Sequence, residues 1–310
     1  NPEVDDLYFR IESYTEPPAW FHLAPGAAAP VRTALVTKSP VDLSDVVVKR
    51  ETATSKDGTR VPFTILSKKG AALDGDNPTL LYAYGGYGLS ETPGFSPALA
   101  VWLERGGVYA VANLRGGGEF GEEWHLAGNL VRKQNVFDDF LACGRRLVEL
   151  KYTRPARLAI LGGSNGGLLM GAALTQAPEL YRAVVSFVGI YDMLRVETQP
   201  NGAFNVTEFG TVKDPGQFKA LHAYSPLHHV KDGVKYPAVL LLTGANDPRV
   251  DPSHSRKFAA RLQQATASGL PVLLRTSYGA GHGIGSSLDE RIGEEVDMYA
   301  FLFDQLGMNR

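Results

Sequence analysis

Cysteine is almost missing from this sequence. Its 310 residues include one, Cys143, so no disulfide can form within the chain, and a single thiol fits a cytoplasmic or a periplasmic home. Cys143 falls in Phe137-Asp138-Asp139-Phe140-Leu141-Ala142-Cys143, a helical pattern in which a lone thiol reads as a small buried apolar group. No apolar run approaches the ~20 residues of a membrane span. Neither sign of charge dominates: 31 Lys and Arg stand against 33 Asp and Glu, a formal net charge of -2, which gives no electrostatic reason to expect nucleic acid or an anionic membrane as partner. Nothing near Asn1 resembles the basic-then-apolar pattern of a signal peptide, so a periplasmic home is expected only if such a peptide is missing from this sequence; no internal repeat and no low-complexity tract is seen. What remains, at 44% hydrophobic and 21% charged residues, is ordinary globular composition, sufficient for one large domain or one domain with an appendage.

Two styles of patterning divide the chain. Residues 1–45 read as all-β: Leu7, Phe9 and Ile11 alternate with Tyr8, Arg10 and Glu12, the period of a half-buried strand, and further strands are expected over 20–23 and 32–37. Three strands make little core of their own, so this segment is expected to be the end of a larger β structure. From residue 46 onward the pattern changes. Strands over 46–54 and 60–67 flank the hairpin signal Lys56-Asp57-Gly58. Short apolar strands then alternate with helices: strands at 79–84, 108–113, 157–161, 183–187, 238–243 and 272–276, helices at 96–105, 135–150, 166–176, 253–267 and 293–306. Continuous apolar strands between helices predict a mostly parallel sheet covered on both faces.

The strand at 157–161 runs into Gly162-Gly163-Ser164-Asn165-Gly166 and then a helix. Gly-x-Ser-x-Gly in a strand–turn–helix setting is a nucleophile elbow, which lifts the Ser hydroxyl clear of the carboxyl end of the sheet of an α/β-hydrolase fold. Alone, the five residues are a weak signal, since glycine turns containing Ser are common. Serine needs a neighbouring base, and chain order in this fold is Ser, acid, His. His22 and His125 precede Ser164. His222, His228 and His229 sit in polar stretches and read as surface or loop residues, and His254 reads as helix surface. His282, in Gly279-Ala280-Gly281-His282-Gly283 directly after the last apolar strand, is the expected base. The acid is expected just past the preceding strand, where Asp247 and Asp251 compete. Asp247 is nearer the strand end, and Asp251, ahead of Pro252 and a helix, reads as a helix cap. For the oxyanion, the Asn165 N–H is one donor. The loop Tyr84-Gly85-Gly86-Tyr87-Gly88 offers either a backbone N–H or the Tyr84 phenol as the other.

Several further blocks carry a resemblance. They are Asn113-Leu114-Arg115-Gly116-Gly117-Gly118-Glu119-Phe120-Gly121 with Trp124-His125, Lys133-Gln134-Asn135-Val136-Phe137-Asp138-Asp139-Phe140, Tyr224-Ser225-Pro226 and Arg249-Val250. Together with the elbow, Asp247 and Gly281-His282-Gly283, they make residues 46–306 resemble the catalytic domain of the prolyl oligopeptidase family of serine peptidases. The resemblance implies a division into residues 1–45, similar to the tail of a β-propeller, and residues 46–310, an α/β-hydrolase catalytic domain. It implies Ser164, Asp247 and His282 as the triad, Tyr84 hydroxyl and Asn165 N–H as the oxyanion donors, and Arg249 as a clamp on a substrate carbonyl. Tyr87, Asn165, Phe209 and Val250 would line the pocket for the residue before the cleaved bond. One position departs: where prolyl-specific members stack a Trp on the substrate proline, this chain has Asn205, with Phe204 adjacent, and a family Tyr is Phe209. A weaker preference for proline is therefore expected, unless the loop shifts by one residue and Phe204 takes the stacking role.

The sequence thus predicts a serine peptidase that hydrolyses short peptides through an acyl-enzyme, after proline or small apolar residues, with no metal or organic cofactor. A carboxylesterase with the same triad is the alternative, and a non-catalytic domain that merely keeps the fold is the more distant one.

Overall fold

The computed structural model describes residues 4–283 and 287–308. Among them the strands form two sheets. The first is antiparallel and built from β1 (Leu7–Ile11), β2 (Ala19–Leu23) and β3 (Val31–Val36) in that spatial order. The second contains β4 (Val46–Thr54), β5 (Arg60–Lys68), β6 (Thr79–Tyr82), β7 (Val108–Ala112), β8 (Leu158–Gly163), β9 (Ala183–Phe187), β10 (Ala238–Gly244) and β11 (Val272–Ser277). Its order is β11-β10-β9-β8-β6-β7-β5-β4. From β7 across to β11 every neighbouring pair is parallel, while β4, β5 and β7 pair antiparallel. The expected parallel sheet is present, with an antiparallel hairpin at one edge.

The helices are α1 (Ala98–Glu104), α2 (Glu122–Leu126), α3 (Gln134–Glu149), α4 (Asn165–Gln176), α5 (Gly202–Phe209), α6 (Pro215–Tyr224), α7 (Pro226–His229), α8 (Ser253–Ala265) and α9 (Leu288–Gln305). They cover both faces of the large sheet, which explains its continuous apolar strands. In β10, Val239 and Leu241 enter the core shared with α3, α4 and α8, whereas Ala238, Leu240 and Leu242 enter the core shared with α1 and α9. Alternate side chains of one strand thus serve opposite layers. Fully burying one such leucine contributes about 1.5–3 kcal/mol, so the interior strands are fixed in register by their burial. Cys143 lies in the α3 layer, fully buried.

The hairpin of β4 and β5 pairs from Val46↔Lys68 to Thr54↔Arg60. Its turn places Gly58 at φ 89°, and the turn is pinned to α3 through buried Arg115, which donates to Asp139 from α3 and to Asp57 in the turn. The small sheet is less well covered: Leu7, Ile11, Val31 and Leu35 are exposed. It is not detached, however. Tyr14 and Leu43 pack into the α1/α9 core beside Trp102, and Glu12 accepts a hydrogen bond from the Phe95 amide at 3.4 Å.

Two expectations need correcting. The helix expected from 293 begins at Leu288, where Ser287 caps the Glu290 amide at 3.1 Å. His254, expected on a helix surface, is buried at the start of α8. Its Nδ1 accepts from the amides of Tyr191 and Asp192, both at 3.1 Å, and its Nε2 lies 2.6 Å from Gln199 Oε1. Three hydrogen bonds pull it inward, where an exposed imidazole would have only water.

Candidate active site

Ser164 sits between β8 and α4 with φ 58° and ψ -116°. A left-handed backbone at a non-glycine residue costs on the order of 1–3 kcal/mol and persists only where its surroundings over-determine it. Here the Ser164 amide donates to Phe187 O at 2.8 Å and its carbonyl accepts from Leu168 at 3.1 Å. The turn is also sterically closed: a Cβ on Gly162 would meet Gly166 O at 2.5 Å. Small residues at both positions let the strand pass the helix, as the elbow requires.

His282 comes from the loop after β11. Its Nε2 lies 3.0 Å from Ser164 Oγ, and its Nδ1 lies 2.7 Å from Asp247 Oδ2. The other carboxylate oxygen, Oδ1, accepts from the amides of Arg249 at 2.8 Å and Val250 at 3.0 Å. The loops holding the two residues are tied together, since Asn246 accepts no freedom of its own: its amide donates to Ala280 O at 3.2 Å and its side chain to Tyr278 O at 2.8 Å. Asp251 points elsewhere. Its Oδ1 accepts from the Ser253 amide at 2.8 Å, a bond that holds its carboxyl below the usual range and organises the start of α8.

A cavity of about 520 Å³ opens beside Ser164 and His282, lined by Tyr84, Tyr87, Phe204, Asn205, Arg249 and Val250 with Leu89, Ile190 and Asn201. The Tyr84 phenol lines the cavity with Ser164; burial pushes its pKa up, and the Ser164 side chain partly offsets that rise. It is therefore a neutral O–H donor at ordinary pH. Asn165 opens α4, so its N–H belongs to the unpaired first turn of that helix. Its side chain, expected in the pocket lining, donates from Nδ2 to Tyr84 O at 2.6 Å and fixes the backbone that carries the phenol. Arg249 is exposed, and its guanidinium makes no hydrogen bond or ion pair with any other described residue.

Two of the residues expected around the pocket do not line it. Asn165 and Phe209 are buried and stand behind the cavity wall; Phe209 backs Tyr87 edge-on, with ring centroids 5.7 Å apart at 80°. Asn205 lines the cavity but is engaged, its Oδ1 accepting from the Tyr87 hydroxyl at 2.8 Å. The aromatic face comes from Phe204, which lies parallel to Tyr87 with centroids 5.8 Å apart at 11° and is 63% exposed. α5 rotates successive residues by about 100°, so Phe204 and Asn205 cannot both present the same face. The contributions of Leu89, Ile190 and Asn201 had no signal in the sequence, because nothing local marks a loop residue as facing a cavity. Among the described residues, no group of three or more His, Cys, Asp or Glu is placed to hold a metal ion, and no helix is long and apolar enough to cross a membrane.

Residues 93–309 match the prolyl oligopeptidase family. The chain belongs to that family. Among curated relatives, a prolyl endopeptidase of Elizabethkingia meningoseptica is 40% identical over 306 residues, covering 98% of this chain and 43% of the relative. Prolyl oligopeptidase A of Galerina marginata is 41% identical over 257 residues, covering 82% of this chain and 35% of the relative. The chain thus spans less than half the length of these family members. A prolyl endopeptidase of known structure superposes with a TM-score of 0.96 at 46% identity, covering 100% of this chain and 46% of its own. A post-proline cleaving enzyme from Rickettsia typhi does so with a TM-score of 0.91 at 37% identity, covering 99% and 44%. The family's α/β-hydrolase fold is the large sheet with its helices.

Proposed function

We propose that this chain is a serine peptidase that cleaves short peptides, with Ser164 as nucleophile and a preference for proline or a small apolar residue before the cleaved bond. The observation that carries the reading is the line Ser164–His282–Asp247, joined at 3.0 and 2.7 Å and opening on a half-apolar cavity. His282 Nε2 takes the proton as Ser164 Oγ attacks the peptide carbonyl, and returns it to the leaving amine. Asp247 holds the tautomer that leaves Nε2 free to accept, and stabilises the imidazolium. The carbonyl oxygen, negative in the tetrahedral intermediate, meets the Tyr84 hydroxyl and the Asn165 N–H. Water then repeats the sequence and releases the acyl group. The Arg249 guanidinium in the cavity lining, without a partner among the described residues, suits a backbone carbonyl of the substrate, which favours a peptide over a simple ester.

Pocket chemistry supports a flat apolar side chain. Phe204 and Tyr87 give aromatic surface, Val250 and Ile190 aliphatic surface. The relatives named prolyl endopeptidase support proline at that place. Residues 1–45 are read as the tail of a propeller, a reading supported by the exposed apolar residues of β1 and β3; either a cytoplasmic or a periplasmic home suits the lone thiol.

The test uses a fluorophosphonate probe and a pair of peptide amides that differ only in Pro or Ala before the scissile bond. Labelling at Ser164 with faster turnover of the Pro amide is expected. Labelling with turnover of simple esters but of neither amide would replace the peptidase with an esterase.

A further inference from the structure

Lys133 and Glu208 are both buried, with side chains 1% and 2% exposed, and neither belongs to the Ser164 relay. A lysine ammonium taken out of water is costly unless paired and hydrogen-bonded. Its bonding here is specific. Nζ donates to Glu208 Oε1 at 2.7 Å and to the carbonyl of Gly85 at 3.1 Å, and it lies 5.3 Å from the centre of the Phe209 ring. Glu208 Oε2 is taken by His125 Nε2 at 2.9 Å. Burial pushes the Lys133 pKa down while Glu208 pulls it back up.

The places these contacts join matter more than the pair itself. Gly85 follows Tyr84 and precedes Tyr87, so its carbonyl belongs to the loop that carries the oxyanion phenol and one pocket wall. Glu208 lies on α5, which carries Phe204 and Asn205 on the opposite wall. His125 comes from α2, and its ring lies against Gly88, 3.6 Å from where a Cβ on that glycine would stand. Three separate segments of the site thus converge on one ammonium–carboxylate pair beneath the pocket. Replacing such a pair with well-packed hydrophobic residues of similar volume is often neutral for stability, so stability alone does not account for it.

We propose that Lys133 and Glu208 are positioning residues that set the Tyr84–Tyr87 loop against α5, and so aim the Tyr84 hydroxyl and fix the width of the specificity pocket. The inference rests on the peptidase reading for its kinetic consequence. A displacement near 1 Å of a catalytic group can cost about 10²-fold in rate. Freeing the Gly85 carbonyl should therefore act on turnover, through Tyr84.

The experiment compares the parent chain with Lys133→Met and with Lys133→Met/Glu208→Gln, the second keeping a neutral, similarly sized pair if the first is too unstable to fold. Both are expected to lower kcat about tenfold or more with little change in KM. The double variant should melt close to the parent without recovering kcat. Combined with Tyr84→Phe, the Lys133 substitution should cost little further, because the group it aims is gone. Amide hydrogen exchange, which needs no catalysis, should rise at Gly88 and Leu89, whose amides bond to Gly116 O and Gly86 O. Unchanged exchange there overturns the positioning role whether or not the chain hydrolyses peptides. So does a rise in KM at constant kcat, or an equal loss with and without the Tyr84 hydroxyl. Variants that exchange as expected, made from a parent that neither reacts at Ser164 nor cleaves amides, instead overturn the peptidase reading and leave the positioning role standing.

Discussion

Asp247 grips His282 with one oxygen and its own loop with the other: Oδ2 meets Nδ1 at 2.7 Å, and Oδ1 holds two backbone amides. An amide in place of this carboxylate would present one NH₂ group where only acceptors fit. Asp247→Asn is expected to lower kcat by about 10⁴ by favouring the wrong tautomer. Ser164→Ala and His282→Ala should each cost on the order of 10⁶, as groups that act as a unit do. Asp251→Asn should stay within about tenfold of the parent, since the Asp251 carboxylate accepts from the Ser253 amide at the start of α8 and not from His282. Steady-state turnover of a peptide amide checks all four; a larger loss at Asp251 than at Asp247 would reverse the assignment.

Tyr84→Phe removes one hydroxyl and almost no volume. Losing a single oxyanion donor lowers kcat by roughly 10²–10³, and KM should move little because the bond tightens only as charge develops. A raised KM at constant kcat would make Tyr84 a ground-state contact.

Phe204 and Asn205 now carry opposite expectations from those that alignment alone suggests. Phe204→Ala should cut the Pro/Ala ratio of kcat/KM by up to about tenfold, matching the ~0.5–1.5 kcal/mol that an aromatic contact adds beyond burial. Asn205→Trp should destabilise the fold, because Asn205 is 6% exposed and bonded to Tyr87, and overpacking costs about 1–3 kcal/mol. Matched substrates and thermal melts separate these effects. An Asn205→Trp chain that melts like the parent and gains proline preference would restore Asn205 as the stacking position.

His254 predicts an acid-sensitive fold. Burial first, then Lys257, holds its pKa down to about 4, against the pull of Asp192 and Asp251. The folded chain therefore binds this proton less readily than the unfolded chain, whose imidazole titrates near 6.5. The neutral His254 contributes its full stability above about pH 6.5 and loses it as pH falls toward 4. Urea unfolding at pH 7.5 and 5.0 should show a drop in stability. His254→Gln, which keeps an acceptor for the two amides without titrating, should shrink that drop.

Deleting residues 1–45 should lower the melting temperature, because Tyr14 and Leu43 leave the core around Trp102. Removing one buried leucine side chain alone costs about 2–5 kcal/mol. An unchanged melting temperature would mean the small sheet contributes nothing to the large one.

The layered fold was legible because strands such as Ala183–Phe187 and Ala238–Gly244 carry near-continuous apolar runs, Ala183–Val185 and Ala238–Leu242, and that pattern has few other uses. The line from Ser164 to His282 was legible because the fold fixes where its strands end. The segment containing α5, α6 and α7 was not, for two reasons. α5 spends its side chains on the cavity and on Glu208 instead of on a repeating core face. The start of α6 did carry a signal, Asp214 capping Gln217 with Pro215 in the first turn, as did Ser287 and Glu290 at α9, and both were outweighed by hydrophobic period. His254 and Asn165 were misjudged because burial of a polar side chain depends on partners remote in sequence. That Phe204 stands exposed in the cavity while Asn205 beside it is held by Tyr87 is set by helix phase and packing, which alignment of side-chain types does not report.

β11 lies at the rim of the large sheet with β10 as its one neighbour, and His282 hangs from the loop that follows it. Ser164 and Asp247, by contrast, follow strands paired on both sides. A rim strand can peel away while the interior stays assembled, since local opening requires less free energy than global unfolding. The proton acceptor is thus attached to one of the two rim strands and not to the interior of the sheet. Under rising denaturant or heat, hydrolysis should fade while the chain is still largely folded, and return at once on dilution, so that enzymatic assay reports fraying of one margin long before spectroscopy reports collapse of the whole.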